Sequence, residues 1–169
     1  QIIKGNGGFD VIIGNPPYQI SDGGGGNGTS ATPVYHRFIQ QAIKLQPKYL
    51  AMIVPSRWFS GGKGLDEFRE MMLNDKHICE IHDFLEASDC FPNVQIKGGV
   101  NYFLWCKEHH KDCKVYMHRG NNITSYMERP LLEENSDYFI RYNEAIEILH
   151  KVQSKKEKKL IEQVSSSKP

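Results

Sequence analysis

One stretch limits the fold of this chain more than any other: Phe9-Asp10-Val11-Ile12-Ile13-Gly14-Asn15-Pro16-Pro17-Tyr18. The apolar and small residues after Asp10 read as a buried strand over residues 9–14, and two prolines end it. Each proline fixes φ and lacks an N–H, so neither a strand nor a helix continues through the pair. Asn15 precedes a proline and is therefore biased to an extended conformation. The product is a stiff turn at the carboxyl end of a strand, presenting an amide and an aromatic ring. In open α/β sheets that end is where ligands bind.

The rest of the pattern fits an α/β fold. Gly23 to Gly26, Asn27, Gly28, Thr29 and Ser30 hold too much glycine for regular structure and read as a loop. From Pro33 the spacing turns helical: Val34, Phe38, Ala42 and Leu45 share a stripe, with Tyr35, Ile39 and Ile43 beside it. Tyr49 to Val54 is a continuous apolar run stopped by Pro55, the pattern of a parallel strand buried on both faces. A second helix is predicted over 64–74, with Leu65, Phe68, Met71 and Met72 inward. Residues 77–84, 100–106 and, more weakly, 113–118 read as strands. Ala145, Ile146, Leu149 and Val152 mark a late helix running toward Lys155-Lys156-Glu157-Lys158-Lys159. The order β-α-β-α-β-β predicts a mostly parallel sheet with right-handed crossovers and one reversed strand.

Asn15-Pro16-Pro17-Tyr18, with Gln19 after it, resembles the catalytic motif of amino-group S-adenosylmethionine-dependent methyltransferases. In this form it is similar to the NPPY-type DNA adenine-N6 methyltransferases of bacterial restriction–modification systems, of a type IIS/IIG-like kind. The resemblance implies an α/β fold, the C-terminal half of a Rossmann-like sheet, with S-adenosylmethionine as cofactor. It implies double-stranded DNA with a flipped adenine as partner, and Asn15, Pro16 and Tyr18 as catalytic residues. An exocyclic adenine amine is a poor nucleophile because its lone pair is delocalised into the ring. Two acceptors on its N–H bonds draw the nitrogen toward tetrahedral geometry and free the lone pair for in-line attack. The Asn15 side chain supplies one acceptor and the Pro16 backbone carbonyl the other, as fixed dipoles aimed at the reacting atom. The base must leave the duplex to reach them, and Tyr18 can stack on it.

The likeness continues downstream, over roughly residues 5–108. Tyr35-His36-Arg37-Phe38 resembles the family's Tyr-x-x-Phe helix, whose Phe lies against the cofactor adenine; Asn15 and Phe38 are thus the cofactor-binding candidates. Without the resemblance, Phe38 reads as a core-facing helix residue. Val54-Pro55-Ser56-Arg57-Trp58 and Phe68-Arg69 resemble the next strand–turn and helix. Asp89-Cys90-Phe91-Pro92-Asn93-Val94, followed by Gly98-Gly99-Val100, is similar to the loop whose Phe stacks on the flipped base. Taken alone, Phe91 reads as a loop residue folded back onto the core.

One departure stands out. The family's cofactor site needs a Gly-rich turn after a first strand and an acidic residue after a second, and neither precedes Phe9 in this sequence. Gly23 to Gly28 follows the catalytic strand and lacks a helix-opening phosphate or ribose pattern. The chain opens with Gln1 and closes on a polar Val164-Ser165-Ser166-Ser167-Lys168-Pro169 stub. The expectation is a catalytic half over 1–118, then the truncated start of a target-recognition region or linker over 119–169. Its missing partners are an N-terminal cofactor half and a C-terminal recognition domain. Such a piece neither binds S-adenosylmethionine tightly nor methylates DNA alone. Its strand at 9–14 becomes an apolar edge open to self-association or covering by a loop.

A length of 169 residues suits one core, and a net charge of +1 lacks the footprint of an autonomous DNA-binding domain. Cys79, Cys90, Cys106 and Cys113 form no disulfide framework, and neither a signal peptide nor a membrane-length apolar run appears, so a reduced cytoplasmic protein is expected. No metal is expected: Cys106-x-x-His109-His110-x-x-Cys113 matches no common zinc spacing and reads as a solvated turn. His36, His77, His82 and His118 lack a nucleophile pattern and read as satisfied histidines. Amine methylation needs no strong general base, because the proton becomes acidic once the methyl has transferred. Lys155 to Lys159 reads as a solvated helix face or a phosphate contact, with Arg119 and Lys97 as further phosphate candidates. Rival functions are methylation of RNA adenine or of a protein glutamine, and a non-catalytic nucleic-acid-binding module. The continuation past Cys106 favours DNA, and the intact Asn15 favours catalysis.

Overall fold

The structure, a computed structural model, describes residues 8–20 and 31–156. The glycine run at Gly23–Gly28, the two chain ends and Glu157–Lys159 lie outside the described residues. The elements are β1 (Val11–Gly14), β2 (Gln19–Ile20), β3 (Thr32–Pro33), α1 (Tyr35–Lys44), β4 (Tyr49–Pro55), α2 (Asp66–Asn74) and β5 (Ile78–Phe84). Then follow β6 (Val100–Cys106), β7 (Cys113–Arg119), β8 (Asn122–Arg129) and α3 (Glu144–Gln153), with short 3-10 turns at Ser56–Phe59 and Ala87–Asp89.

Six strands form one sheet in the order β1-β4-β6-β5-β7-β8. β1 and β4 are parallel, as are β5 and β7, while β6 runs against both β4 and β5. The expected reversed strand is therefore β6, inserted between β4 and β5. A second reversed strand, β8, pairs with β7 and went unread, because Asn122-Ile123-Thr124-Ser125 gives little apolar alternation. A mixed sheet with flanking helices is the arrangement of a Rossmann-like methyltransferase fold. β2 and β3 form a small antiparallel pair just after the proline turn.

The core lies on one face of the sheet. Leu50, Met52 and Val54 of β4, Phe103 and Trp105 of β6, Ile81 of β5 and Val115 of β7 meet Tyr35, Ile39 and Ala42 of α1 and Phe68, Met72 and Leu73 of α2. Fully burying such side chains stabilises the fold by about 1.5–3 kcal/mol each.

Two expectations need correction here. β4 is not buried on both faces: Leu50, Met52 and Val54 are covered, but Tyr49 is 47% exposed and Ala51 and Ile53 are half-buried. The other face is covered near Phe84 and Val100 by the loop that holds Cys90, Phe91 and Ile96, while Ile13, Tyr49, Tyr102 and Tyr126 on it are exposed. The buried stripe of α1 is also turned. Tyr35, Ile39 and Ala42 are inward, whereas Phe38 and Leu45 lean past the sheet edge at β1 and stay about half exposed. On α3 only Ile146 is buried, and Val152 faces outward.

The segment after residue 118 joins the same core. Leu131 and Phe139 pack within it. Arg129, buried, donates to Asn143 Oδ1 at 3.1 Å and to the Ile140 carbonyl, and lies near Glu133.

Candidate functional site

The proline turn sits where the sequence puts it, at the carboxyl end of β1 on the sheet edge. Pro16 is buried, Asn15 is exposed and Tyr18 is half-buried. Val34 N–H donates to the Tyr18 carbonyl at 3.1 Å, tying the turn to the start of α1. Burial raises the Tyr18 hydroxyl pKa, the nearby Cys90 thiol raises it further, and the Asn15 side chain lowers it slightly. No hydrogen bond of good geometry reaches that hydroxyl from the described residues.

Asn15, Pro16, Pro17 and Tyr18 form one wall of a cavity of about 570 Å³. Tyr35 and Arg57 belong to its lining, as do Gln95, Ile96 and Lys97 of the loop before β6. A second hollow of about 560 Å³, almost entirely apolar, lies against α1 and is lined by Ile12, Pro17, Ile20, Phe38 and Met52. Pro17 belongs to both, so the proline turn is the partition between a polar cavity and an apolar groove.

The site candidates are thus only partly brought together. Asn15, Pro16 and Tyr18 share the cavity, and Phe38 stands in the groove across Pro17. Phe91 is in neither; it packs against Phe84, Ala87 and Val100 in a small separate cluster. Ile96, five residues after Phe91 and packed against the same cluster, is the apolar residue that this loop gives to the cavity.

Sequence reading missed the group that holds these walls. Asp83 is 0% exposed and lies on the core side of β5, directly opposite buried Asn101 on β6. Its carboxylate accepts from Ser56 Oγ at 2.8 Å and from Nε and Nη2 of Arg141, both at 2.7 Å. Arg141 Nη1 also donates to the Gly98 carbonyl at 2.8 Å, and Ser56 N–H donates to the Gly99 carbonyl at 3.0 Å. Asn101 completes the group by donating to Ser56 Oγ at 3.2 Å. The turn after β4 and the loop before β6 are thereby fastened to one buried carboxylate. The signal was present: Asp83 and Asn101 are polar residues at core-facing positions of strands that are otherwise apolar on that side.

Of the other histidines, His36 packs its ring against Tyr35 and Phe68 but its buried Nδ1 has no hydrogen-bond partner among the described residues, contrary to expectation. His77 Nδ1 lies 2.6 Å from Asp75 Oδ1 and its ring stacks on Trp105. His82 and His118 meet at 2.9 Å on the sheet face opposite the core, His82 stacked between Tyr102 and Tyr116. Burial pushes the Cys113 thiol up to about 12. Among the described residues no three His, Cys, Asp or Glu side chains gather as a metal site, and no helix is long and apolar enough to cross a membrane.

Relatives place this geometry in a family. In fold, a type I restriction–modification methyltransferase subunit from Streptococcus thermophilus matches with a TM-score of 0.50 at 14% identity, over 92% of this chain and 34% of that one. A further chain, from a type I restriction–modification complex, gives 0.48 at 18% identity over 86% of this chain and 29% of its own. In sequence, an uncharacterized adenine-specific methylase from Mycoplasma pneumoniae is 47% identical over 98 residues, which are 57% of this chain. That match spans 23% of the relative's length. The family model for Eco57I restriction-modification methylases matches residues 1–91, and it covers the proline turn, α1, β4, α2 and the loop as far as Phe91. The chain belongs to the Eco57I restriction-modification methylase family.

Proposed function

We propose that the intact protein transfers a methyl group from S-adenosylmethionine to the exocyclic amine of adenine in double-stranded DNA, as the modification activity of a restriction–modification system. The observation that carries this is the partition at Pro17. It sets the Asn15–Tyr18 turn between a polar cavity suited to a base and an apolar groove suited to a purine ring. Family membership and the adenine-specific methylase relative support the same reading.

The roles follow from the chemistry of the amine. Asn15 and the Pro16 carbonyl accept its two N–H bonds and pull the nitrogen out of conjugation with the ring. Tyr18 stacks on the extruded base, and Ile96 belongs to the lining of the same cavity. Phe91 reaches the base only if its loop leaves Phe84 and Val100; in the arrangement described it backs the loop from behind. Removing one fixed acceptor of this kind costs on the order of 10²–10³ in rate.

S-adenosylmethionine supplies an electrophilic methyl on a sulfonium. Phe38, with Ile12, Pro17 and Ile20, offers an apolar slot that fits its purine ring; among the described residues the only polar side chains there are Arg37 and Gln41, so the charged ends of the cofactor belong elsewhere in the intact protein.

The test is transfer of labelled methyl groups by the intact protein to duplex DNA, RNA and protein, offered separately. Label recovered as N6-methyladenine in DNA is the expected result. Label in RNA or on glutamine instead would overturn the substrate assignment, and none in any of the three would overturn the enzyme reading.

A further inference from the structure

The cavity beside the proline turn is one-sided in charge. Among the described residues fourteen line it, Arg57, Lys63 and Lys97 with them, and none of the fourteen is Asp or Glu. The whole chain holds 21 Lys and Arg against 20 Asp and Glu, so a patch of three cations without an acid departs from the average surface. None of the three belongs to an ion pair among the described residues, where the Lys and Arg pairs join Lys48 to Asp10, Lys76 to Asp112, Lys114 to Glu80, Arg69 to Asp66, Arg129 to Glu133 and Arg141 to Asp83. The acid nearest Lys63 in sequence, Asp66, is already taken by Arg69 at 3.3 Å and by the Gly62 N–H at 3.1 Å.

Each cation is carried on backbone that is held in place. Arg57 follows Ser56, whose hydroxyl and N–H are bound to Asp83 and to the Gly99 carbonyl. Lys97 precedes Gly98, whose carbonyl is held by Arg141. Both therefore sit one residue from the buried Asp83 group, which sets their separation. Lys63 lies within Gly61-Gly62-Lys63-Gly64, where all four residues have positive φ (71°, 77°, 51° and 76°), and this reversal brings its side chain to the cavity rim.

Three unpaired cations around one cavity repel one another until an anion joins them. We propose that Arg57, Lys63 and Lys97 form a phosphodiester clamp that grips the DNA backbone on either side of the extruded nucleotide. This inference rests on the DNA reading above. The contacts are to phosphate, so they position the strand without reading its sequence.

The experiment is fluorescence anisotropy of a labelled duplex with the intact protein, titrated across a series of NaCl concentrations. Wild type is compared with Lys63→Gln, Lys97→Gln, the double variant and the triple variant with Arg57→Gln, and with Lys107→Gln as a remote control. Each lost contact is expected to flatten the slope of log K against log salt by about 0.9 on duplex DNA, or about 0.7 where the contacted strand is single. The triple variant then loses roughly 2–3 in slope, equally on cognate and unrelated sequences. Lys107→Gln leaves the slope unchanged. Wild-type binding with a slope that the double and triple variants leave intact would overturn the clamp while sparing the DNA reading. Failure of the wild-type protein to bind DNA at all would overturn both.

Discussion

β1 and β4 lie side by side, run in the same direction, and each reaches a proline, yet the turns beyond them are built differently. After β4, Pro55 and Ser56 are buried, Trp58 and Phe59 enter the core, and Ser56 is bound to Asp83 and Gly99. After β1, Asn15 and Pro17 face solvent and the side chains of the turn line two open hollows. The second of these turns in the chain, after β4, is fixed by its neighbours, and the first, after β1, by its own covalent stiffness. A pair of consecutive prolines does locally what the buried network does by tertiary contact, and so leaves Asn15 free to face a substrate. On the proposed function, stability and chemistry fall to adjacent strands.

The largest expected effect lies on the scaffold side. Asp83→Ala strands Arg141, Ser56 and Asn101 and should lower stability by about 3 kcal/mol, at the lower end of the cost of breaking a buried ion pair because Arg141 keeps some solvent. Denaturant unfolding measures it; a midpoint within error of wild type would show that the second turn does not depend on the network. Gly99→Ala comes next. Gly99 has φ +79°, and a Cβ there would sit 2.0 Å from the Phe84 carbonyl oxygen and 2.6 Å from that of Leu85. An expected loss of about 1–3 kcal/mol should appear in the same unfolding curves, and a neutral outcome would mean that the loop before β6 is free to shift.

A pH effect follows from the sheet face opposite the core. Burial lowers the pKa of His82, with His118 adding to it, and burial also lowers His118 and His36. The unfolded chain therefore binds protons more readily than the folded one just below the ordinary histidine pKa of about 6.5. Stability is complete above that pH and falls as pH drops through it. Thermal unfolding at pH 7.5 and 5.5 should show the decline, reduced in His118→Gln; a flat profile would break the assignment of neutral, stacked rings. The smallest effect belongs to the first turn's side. Phe38 is 47% exposed, so Phe38→Ala should change stability by less than about 0.5 kcal/mol while weakening cofactor binding in the intact protein. Equilibrium dialysis that finds the affinity unchanged would remove Phe38 from the cofactor site.

Much of this was legible in the sequence. The strands of the sheet through β7 and all three helices follow from apolar period, and the Pro-Pro pair marks the turn that lines the candidate site. What stayed hidden depends on which neighbours an element meets. The α1 stripe gave the right helix, but only the sheet edge at β1 explains why Phe38 and Leu45 face outward. The run from Tyr49 to Val54 is apolar on both sides, and no period reports that the described helices cover one. Phe91 could be read as stacking on a base or folding inward, and the choice turns on its contacts with Phe84 and Val100, which no apolar period in the loop reports. Asp83 was overlooked because its partners Ser56 and Arg141 are 27 and 58 residues away.

The central claim, that the exposed turn after β1 performs the chemistry, is tested most directly by Asn15→Ala in the intact protein, with methyl transfer to DNA and unfolding measured on the same preparation. A fall in turnover on the order of 10²-fold or more, with stability within about 0.5 kcal/mol of wild type, is the predicted result. Turnover retained at the wild-type level would contradict the account, whatever the protein binds.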